Sequence, residues 1–549
     1  MEIKTRNSRA GSCGEDNDSQ KMTFTARCTA LFLMLVSFAA ATCCSPDQQE
    51  NESTVLITNA RIIDGTGSPA FDGSVLIRDE KIAGVTKAGS GENEGSEDVS
   101  RVIDAGGDVL APGFIDAHSR GNPFETPRFD NFLSMGVTTI TLGLVGTHPG
   151  GEDAASWLDD VNARGTGPNI IHFTGHSTLR EIVDAPDEGD LDAAYISAMA
   201  DILSGAMNAG SFGLSLGLEF EPGSYAGRQE LTALAEAVND HGGILMAHVR
   251  SEDDDRIEAS VQEVLDAGRG SGVPVHFSHL KIVYANEVER AEDILGILQE
   301  ARDEGLTVTA DVYPYVASFT GISIVFPEWA RSEQDFETAV SERREELEEY
   351  LRARITLRNG PEATLFGSGP WTGKTLAEVA EELDMPFENV LIDEVGPDGA
   401  SAAYFVMNED VMRRFLQDPH VMIGSDGGPE MRHPRGYGSF ARIIRKYVRE
   451  EGLLTLEEAV HKMSGLTAAT LGLSDDGIVD TPRGLIREGY AADLLIFDPS
   501  KVQDRAVFED PHRYAAGFDH VFVNGEHVIA DGENDHLPGK VIRRQVQAE

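Results

Sequence analysis

Seven short apolar segments recur along the middle of this 549-residue chain, each followed by text of helical character: GVTTITLG, PNIIHFTG, FGLSLGLEF, GGILMAHV, PVHFSHL, LTVTADVYPY and VMIGSD. Repeated strand–helix alternation confines the fold to a parallel sheet, and seven or eight such units predict a (β/α)8 TIM-type barrel. Before them, from Thr54, stand shorter β-type runs (TVLITNARIID, SVLIRDEKIAGV, RVIDAGGDVLAPGFID) with Asp-Gly and Gly-Gly breaks. ADLLIFD and HVFVNGEHVIADG repeat that character near the other end. The two ends are therefore expected to join in a small β-sandwich, residues 46–110 supplying one part and 481–549 the other. The barrel then occupies 111–480. Residues 319–405, with the charged helical run SERREELEEYLRARI and a Gly/Pro-rich stretch, read as an insertion between the sixth and seventh barrel strands.

Charge restricts the partners. The chain has 93 acidic residues against 45 basic ones, a formal charge of -48, and only ten lysines. Such a surface repels nucleic acid and anionic membranes. It suits a salty milieu, where self-repulsion is screened within a few Å.

All four cysteines, Cys13, Cys28, Cys43 and Cys44, precede the folded body, which therefore has no disulfide and no thiolate ligand. Residues 29–42 (TALFLMLVSFAAAT) form an apolar stretch too short for a span of about 20 residues, and they fit the h-region of an export signal. Small residues before Cys43 and Cys44 resemble a bacterial lipoprotein signal, although Ala40-Ala41-Thr42 departs from its usual form. Residues 1–45 are thus expected to direct export, to the periplasm or to a lipid anchor at Cys43 or Cys44, with Met22 an alternative start.

In a barrel of this type chemistry sits where strands end. Four strand ends carry metal-type ligands: His118 in PGFIDAHSR, with Arg120 on the same face; His248 in ILMAHVRSE; His279 in PVHFSHLK, with Lys281 two positions on; and Asp426 in VMIGSDGG. His248 and His279 bracket one helical segment, which suits successive strands of a βαβ unit. Three imidazoles and a carboxylate converging on a barrel mouth make a zinc site. A lone strand-end histidine is ordinarily a polar rim residue, and His276, on the face opposite His279, is read that way. Asp426 before Gly-Gly would by itself be a turn residue. The set of four in barrel order is what argues for a site.

The segments VIDAGGDVLAPGFIDAH, FLSMGVTTITLG, TGHSTLR, GLSLGLEFEPGSYA, HGGILMAHVRSE, GVPVHFSHLK, VTADVYPY, VMIGSDGG, HPRGYGSFARIIRKYVREEG, EEAVHKMSGLTAATLGL and GYAADLLIFDP carry a resemblance. Over Thr54 to Arg544 the chain resembles the D-aminoacylase (N-acyl-D-amino-acid deacylase) family of the amidohydrolase superfamily. The resemblance implies that His248 and His279 are tight zinc ligands, that His118 is the first histidine of a His-x-His pair, and that Asp426 is the catalytic aspartate. It further implies that Lys281, Tyr313 and Arg435 hold the substrate's carboxylate, which agrees with cations placed at the rim.

Two metal positions of the family are replaced. Arg120 stands for the second histidine of His-x-His, and Val145, in GLVGTH, for the cysteine after the GVTT strand. A guanidinium stays protonated and cannot ligate a metal. Arg120 is instead expected to pair with Asp426 or with the substrate. His148 is expected to be exposed, and Phe220 replaces a family tyrosine. One zinc per chain is expected, held by His248 and His279 with His118 or Asp426 completing the set.

The activity so implied is hydrolysis of a linear amide, deacylation of an N-acyl-D-amino acid to a D-amino acid and a carboxylate. Zinc would polarise the amide carbonyl and activate water, with Asp426 as general base and then acid. Two alternatives remain open from residues alone: a D-residue dipeptidase or other amide hydrolase on the same scaffold, and a catalytically silent, exported binding protein.

Overall fold

The computed structural model describes residues 54–90, 99–187, 189–529 and 536–545. The segment expected to direct export, with Cys43 and Cys44, lies outside the described residues.

Strands Thr54–Ile62 (β1), Phe71–Arg78 (β2), Lys81–Lys87 (β3), Arg101–Asp104 (β4) and Val109–Pro112 (β5) come from the β-rich amino-terminal text. Branched aliphatics on their inner face, among them Ile57, Ile62, Val75, Ile77 and Leu110, share a core with Leu494, Ile496 and Phe522 from the far end of the chain.

After β5 follow Phe114–Asp116 (β6), Val137–Leu142 (β7), Asn169–His172 (β8) and Thr174–Gly175 (β9). Gly213–Gly217 (β10), Ile244–His248 (β11), Val275–Phe277 (β12) and Val308–Val312 (β13) continue the series. β6, β7 and β8 pair in parallel. β9 resumes β8 after Phe173 and pairs with β10, and β10 to β13 run on in parallel order. Every residue of β7, β10, β11 and β13 is buried, as strands covered on both faces must be.

The covering helices are amphipathic. In Ile257–Ser271 the side chains of Ile257, Val261, Val264 and Leu265 recur at three- and four-residue spacing and are fully buried. Burying four such groups contributes roughly 1.5–3 kcal/mol each. That helix ends at Gly272, whose φ of 78° is the left-handed cap glycine tolerates best.

Beyond β13 the chain leaves the alternation. Ser318–Gly321 (β14), Thr364–Phe366 (β15) and Ser401–Tyr404 (β16) form a small antiparallel sheet in the order β14-β16-β15. With helices Glu333–Glu342, Arg344–Leu357 and Leu376–Leu383 they enclose a separate core that includes Phe326, Leu351, Ile355, Phe366 and Leu376. The last of these helices begins with a capping box between Thr375 and Glu378.

Val421–Ile423 (β17) then returns beside β13 in parallel. Its other side meets the end of β6: Ser119 and Gly427 form a parallel bridge, Asp426 N donates to His118 O at 2.7 Å, and Arg120 N donates to Gly427 O at 2.8 Å. Burial pushes the Asp116 carboxyl up to about 8, against the hydrogen bonds its Oδ1 accepts from Ser425 N and His118 N. That carboxyl thus straps β6 to β17. Leu494–Phe497 (β18), Phe518–Val523 (β19) and Glu526–Ile529 (β20) close the chain, and β18 pairs antiparallel with β5. Strands β1 to β5 and β18 to β20, distant in sequence, are therefore united in one continuous sheet, β20-β19-β18-β5-β1-β2-β3, with β4 on β1. Among the described residues no helix is long and apolar enough to cross a membrane.

Candidate active site

The strand ends bring four side chains together. His248 closes β11, His279 follows β12, Asp426 follows β17 and His118 follows β6. His248 Nδ1 stands 2.9 Å from His279 Nε2, and His118 Nε2 stands 3.4 Å from Asp426 Oδ1. The rings of His118 and His279 are 4.7 Å apart. His279, Asp426 and nearby Val145 all have left-handed backbone, with φ of 38°, 47° and 56°. Each such residue costs about 1–3 kcal/mol, so the fold holds these turns against their local preference. Val145 is the most unusual, because its branched Cβ suits that region least.

Asp311 fixes the arrangement from behind. Its Oδ1 accepts from His279 N at 3.0 Å and its Oδ2 sits 2.9 Å from His276 Nε2. A Cβ at Gly424 would lie 2.5 Å from that Oδ1, so only glycine leaves room for the Asp311 carboxylate here. His276 is therefore a buried strut, fully enclosed between Thr309 and Asp311, rather than a rim residue. His148, expected at the surface, is also buried: its Nδ1 accepts from Gly175 N at 2.9 Å and its Nε2 lies 3.0 Å from Gly151 O.

Charge surrounds the centre. Asp426 is buried, which would raise its pKa, yet the guanidiniums of Arg435 and then Arg120 hold it well below the usual carboxylate range. Arg435 Nη2 is 2.9 Å from Asp426 Oδ2, and Arg120 Nε is 2.9 Å from Asp426 Oδ1. Burial holds His118 and His279 well below the ordinary imidazole value. Both are then neutral, which is the ligating form. Burial opposes the charge on Lys281, but Glu252, 2.5 Å away, keeps its pKa above the usual lysine value. Tyr313 lies under two cations, Arg435 at 4.7 Å and Lys281 at 5.6 Å from its ring centre. Its hydroxyl donates to Met407 Sδ at 3.5 Å.

The donor atoms lie at spacings that suit a metal ion. Donors to a single tetrahedral zinc lie about 2.0–2.2 Å from it and hence about 3.3 Å from one another. The 2.9 Å between His248 Nδ1 and His279 Nε2 and the 3.4 Å between His118 Nε2 and Asp426 Oδ1 bracket that spacing. Ligand atoms of His118, His279 and Asp426 all fall within 4.8 Å of each other. Both ring nitrogens of His118 are buried without a hydrogen-bond partner, a costly state that a metal relieves. The Arg120 guanidinium stands on the adjoining side of Asp426, position 145 offers a valine, and His248, Glu252 and His279 form a second, overlapping donor group.

A cleft opens over these groups, lined by Arg120, His248, His279, Lys281, Asp426 and Arg435 and by residues of the inserted segment. Sequence reasoning missed Glu219, whose Oε2 is 2.9 Å from His248 Nε2, and Glu252, which holds Lys281. Both sit just beyond strand ends, Glu219 in GLSLGLEF and Glu252 in HVRSE, so position alone marked them. Phe220 packs its ring 4.9 Å from that of His248.

Residues 374–529 match the Amidohydrolase family. The chain is 32% identical over 514 residues to N-acyl-D-glutamate deacylase of Alcaligenes xylosoxydans xylosoxydans, covering 89% of this chain and 96% of that protein. It is 33% identical over 497 residues to D-aminoacylase of the same organism, covering 86% and 93%. Among solved structures, N-acyl-D-glutamate deacylase of Bordetella bronchiseptica, complexed with zinc and a phosphonate mimic of the tetrahedral intermediate, superposes with a TM-score of 0.76. The identity is 30%, over 89% of this chain and 99% of that one. A D-aminoacylase with a binuclear metal centre superposes at 0.75, with 30% identity over 89% and 99% of the two chains.

Proposed function

The chain belongs to the D-aminoacylase (N-acyl-D-amino-acid deacylase) family, hydrolases acting on linear amides, and from that premise we propose that it deacylates N-acyl-D-amino acids at a one-zinc site. We infer that its eight parallel strands close into a (β/α)8 barrel, a reading supported by the Ser119–Gly427 bridge between the last strand and the first. On the same reading residues 111–480 are the barrel with its insertion at 319–405, and 46–110 and 481–549 are the two parts of a small β-sandwich.

His118, His248, His279 and Asp426 would hold the ion. When bound, zinc supplies Lewis-acid polarisation of an oxygen and a bound water of lowered pKa. The protein's own residues do the rest. Asp426, kept ionised by Arg435 and Arg120, accepts the proton of the attacking water and returns it to the departing nitrogen. Hydroxide adds to the carbonyl carbon, the C–N bond breaks, and the products are a carboxylate and a free D-amino acid. Lys281, Tyr313 and Arg435 orient the amino acid's carboxylate. Arg435 suits this task because its Nε and Nη1 are buried without partners while Nη2 holds Asp426. Substrate carboxylate and catalytic carboxylate then share one guanidinium, which fixes the reacting carbon relative to the base.

The observation that carries this reading is a buried carboxylate set between two arginines and beside an imidazole with no hydrogen-bond partner. Release of free amine from N-acetyl-D-amino acids by zinc-loaded protein, with L-enantiomers as controls, tests it. No release from any D-substrate contradicts it. We also propose export through residues 1–45, which cell fractionation tests.

A further inference from the structure

Four cationic side chains line the cleft: Arg120, Lys281, Arg358 and Arg435. Three are committed to protein carboxylates, Arg120 and Arg435 to Asp426 and Lys281 to Glu252. Arg358 is not. It follows the inserted helix Arg344–Leu357 and is only 2% exposed. Its Nη1 donates to the Tyr284 hydroxyl at 3.0 Å, and its guanidinium lies over the Tyr404 ring at 4.6 Å. Its Nε is buried without a partner. Among the described residues no carboxylate forms an ion pair with it. Asp253, which lines the same cleft, is taken by Arg354 at 2.8 Å. Nor do the tyrosines supply a negative charge, since burial raises the pKa of both hydroxyls.

A guanidinium keeps its charge in any protein environment, and a buried charge without a counter-charge is expensive. An anion entering the cleft removes that cost. The α-carboxylate of an N-acyl amino acid lies next to the scissile nitrogen and so belongs near Asp426, where Arg435 and Lys281 stand. The partners of Arg358, in contrast, are two tyrosines and no residue of the catalytic cluster.

We propose that Arg358 is a specificity-determining residue that receives a second carboxylate of the substrate, carried by the amino acid's side chain or by an acid-terminated acyl group. The proposal rests on the deacylase reading for the reaction but not for the binding. The inserted segment would then select substrates while the strand ends perform the chemistry.

The test compares acids with their neutral counterparts: N-acetyl-D-glutamate against N-acetyl-D-glutamine, and N-succinyl-D-alanine against N-butyryl-D-alanine. In the wild type, kcat/KM for one acid should exceed that of its neutral counterpart by about 10- to 100-fold, the range of a charge-assisted hydrogen bond. The pair that responds identifies the side chain or the acyl group as the source of the carboxylate. Arg358→Met should collapse the ratio to within threefold, chiefly through KM, and leave the neutral substrates within threefold of wild type. Arg358→Lys should keep part of the preference, and it serves as the test if the methionine variant does not fold. Equal wild-type rates for acid and neutral members of both pairs overturn the proposal, as does an equal loss on all four substrates in a folded variant. If no substrate turns over, calorimetric binding of N-acetyl-D-glutamate, N-acetyl-D-glutamine, N-succinyl-D-alanine and N-butyryl-D-alanine decides separately. Acid-selective binding that Arg358→Met abolishes upholds the subsite while the deacylase reading falls, and its absence overturns the subsite.

Discussion

Two buried polar clusters sit in this molecule and differ in how fully they are satisfied. One lies where β8 begins and the end sheet meets it. Asn169 Nδ2 donates to Thr138 O at 3.1 Å and to Asp493 Oδ2 at 3.2 Å, Asn524 Nδ2 donates to Asn169 Oδ1 at 2.7 Å, and Asn524 N donates to Asp493 Oδ1 at 2.7 Å. Arg483 completes the ion pair with Asp493 at 2.5 Å, and only its Nε lacks a partner. The other cluster is at the opposite strand ends, where His118 has neither nitrogen satisfied and Arg435 leaves two nitrogens free. A closed network rigidifies, whereas an open one is held at a cost that a bound metal or substrate relieves. The contrast separates a scaffold from a site without reference to any relative.

The sharpest way to break the comparison is to damage each cluster and read both stability and turnover. Asp426→Asn should lower kcat by roughly 10²- to 10⁴-fold, far more than it raises KM. His279→Ala should lose bound zinc and turnover together. A metal-replete Asp426→Asn enzyme with wild-type kcat would remove Asp426 from the chemistry. Asp493→Ala should do the reverse. Leaving Arg483 buried and unpaired costs roughly 3–5 kcal/mol of stability, while the folded fraction keeps its kcat. A loss of kcat without a loss of stability would erase the distinction.

A smaller effect sharpens the scaffold side. Lys462 is buried and donates to the carbonyls of Asp418 and Val421, at the start of β17. Burial pushes its pKa down to about 8, from 10.5. The unfolded chain therefore holds the extra proton between those values, and stability should rise as pH climbs through that window, by at most roughly 3 kcal/mol. Lys462→Met should lack this rise. Thermal melts of both proteins from pH 7 to 10 check the sign, and parallel curves would refute it.

Much of the fold was legible in the residues, because strands buried on both faces leave continuous apolar runs and their covering helices leave three-to-four spacing. The union of the chain ends was legible from matching β-rich text. Within the site, His118, His248, His279 and Asp426 announced themselves as ligand types at strand ends. His148 and His276 were misjudged because burial depends on what packs above them, here Gly151 and Gly175 for one and Asp311 with Thr309 for the other. The open state of Arg358 could not be read from sequence, since it depends on where its carboxylate neighbours find other partners.

The central claim is a centre built for one ion, with Arg120 standing where a second would need a donor. Zinc per chain, measured on wild type and Arg120→His alongside turnover, tests it most directly. The account predicts one zinc in the wild type, with activity tracking occupancy, and a rise toward two in Arg120→His. Two zinc ions in the wild type, or full turnover with none, would contradict it.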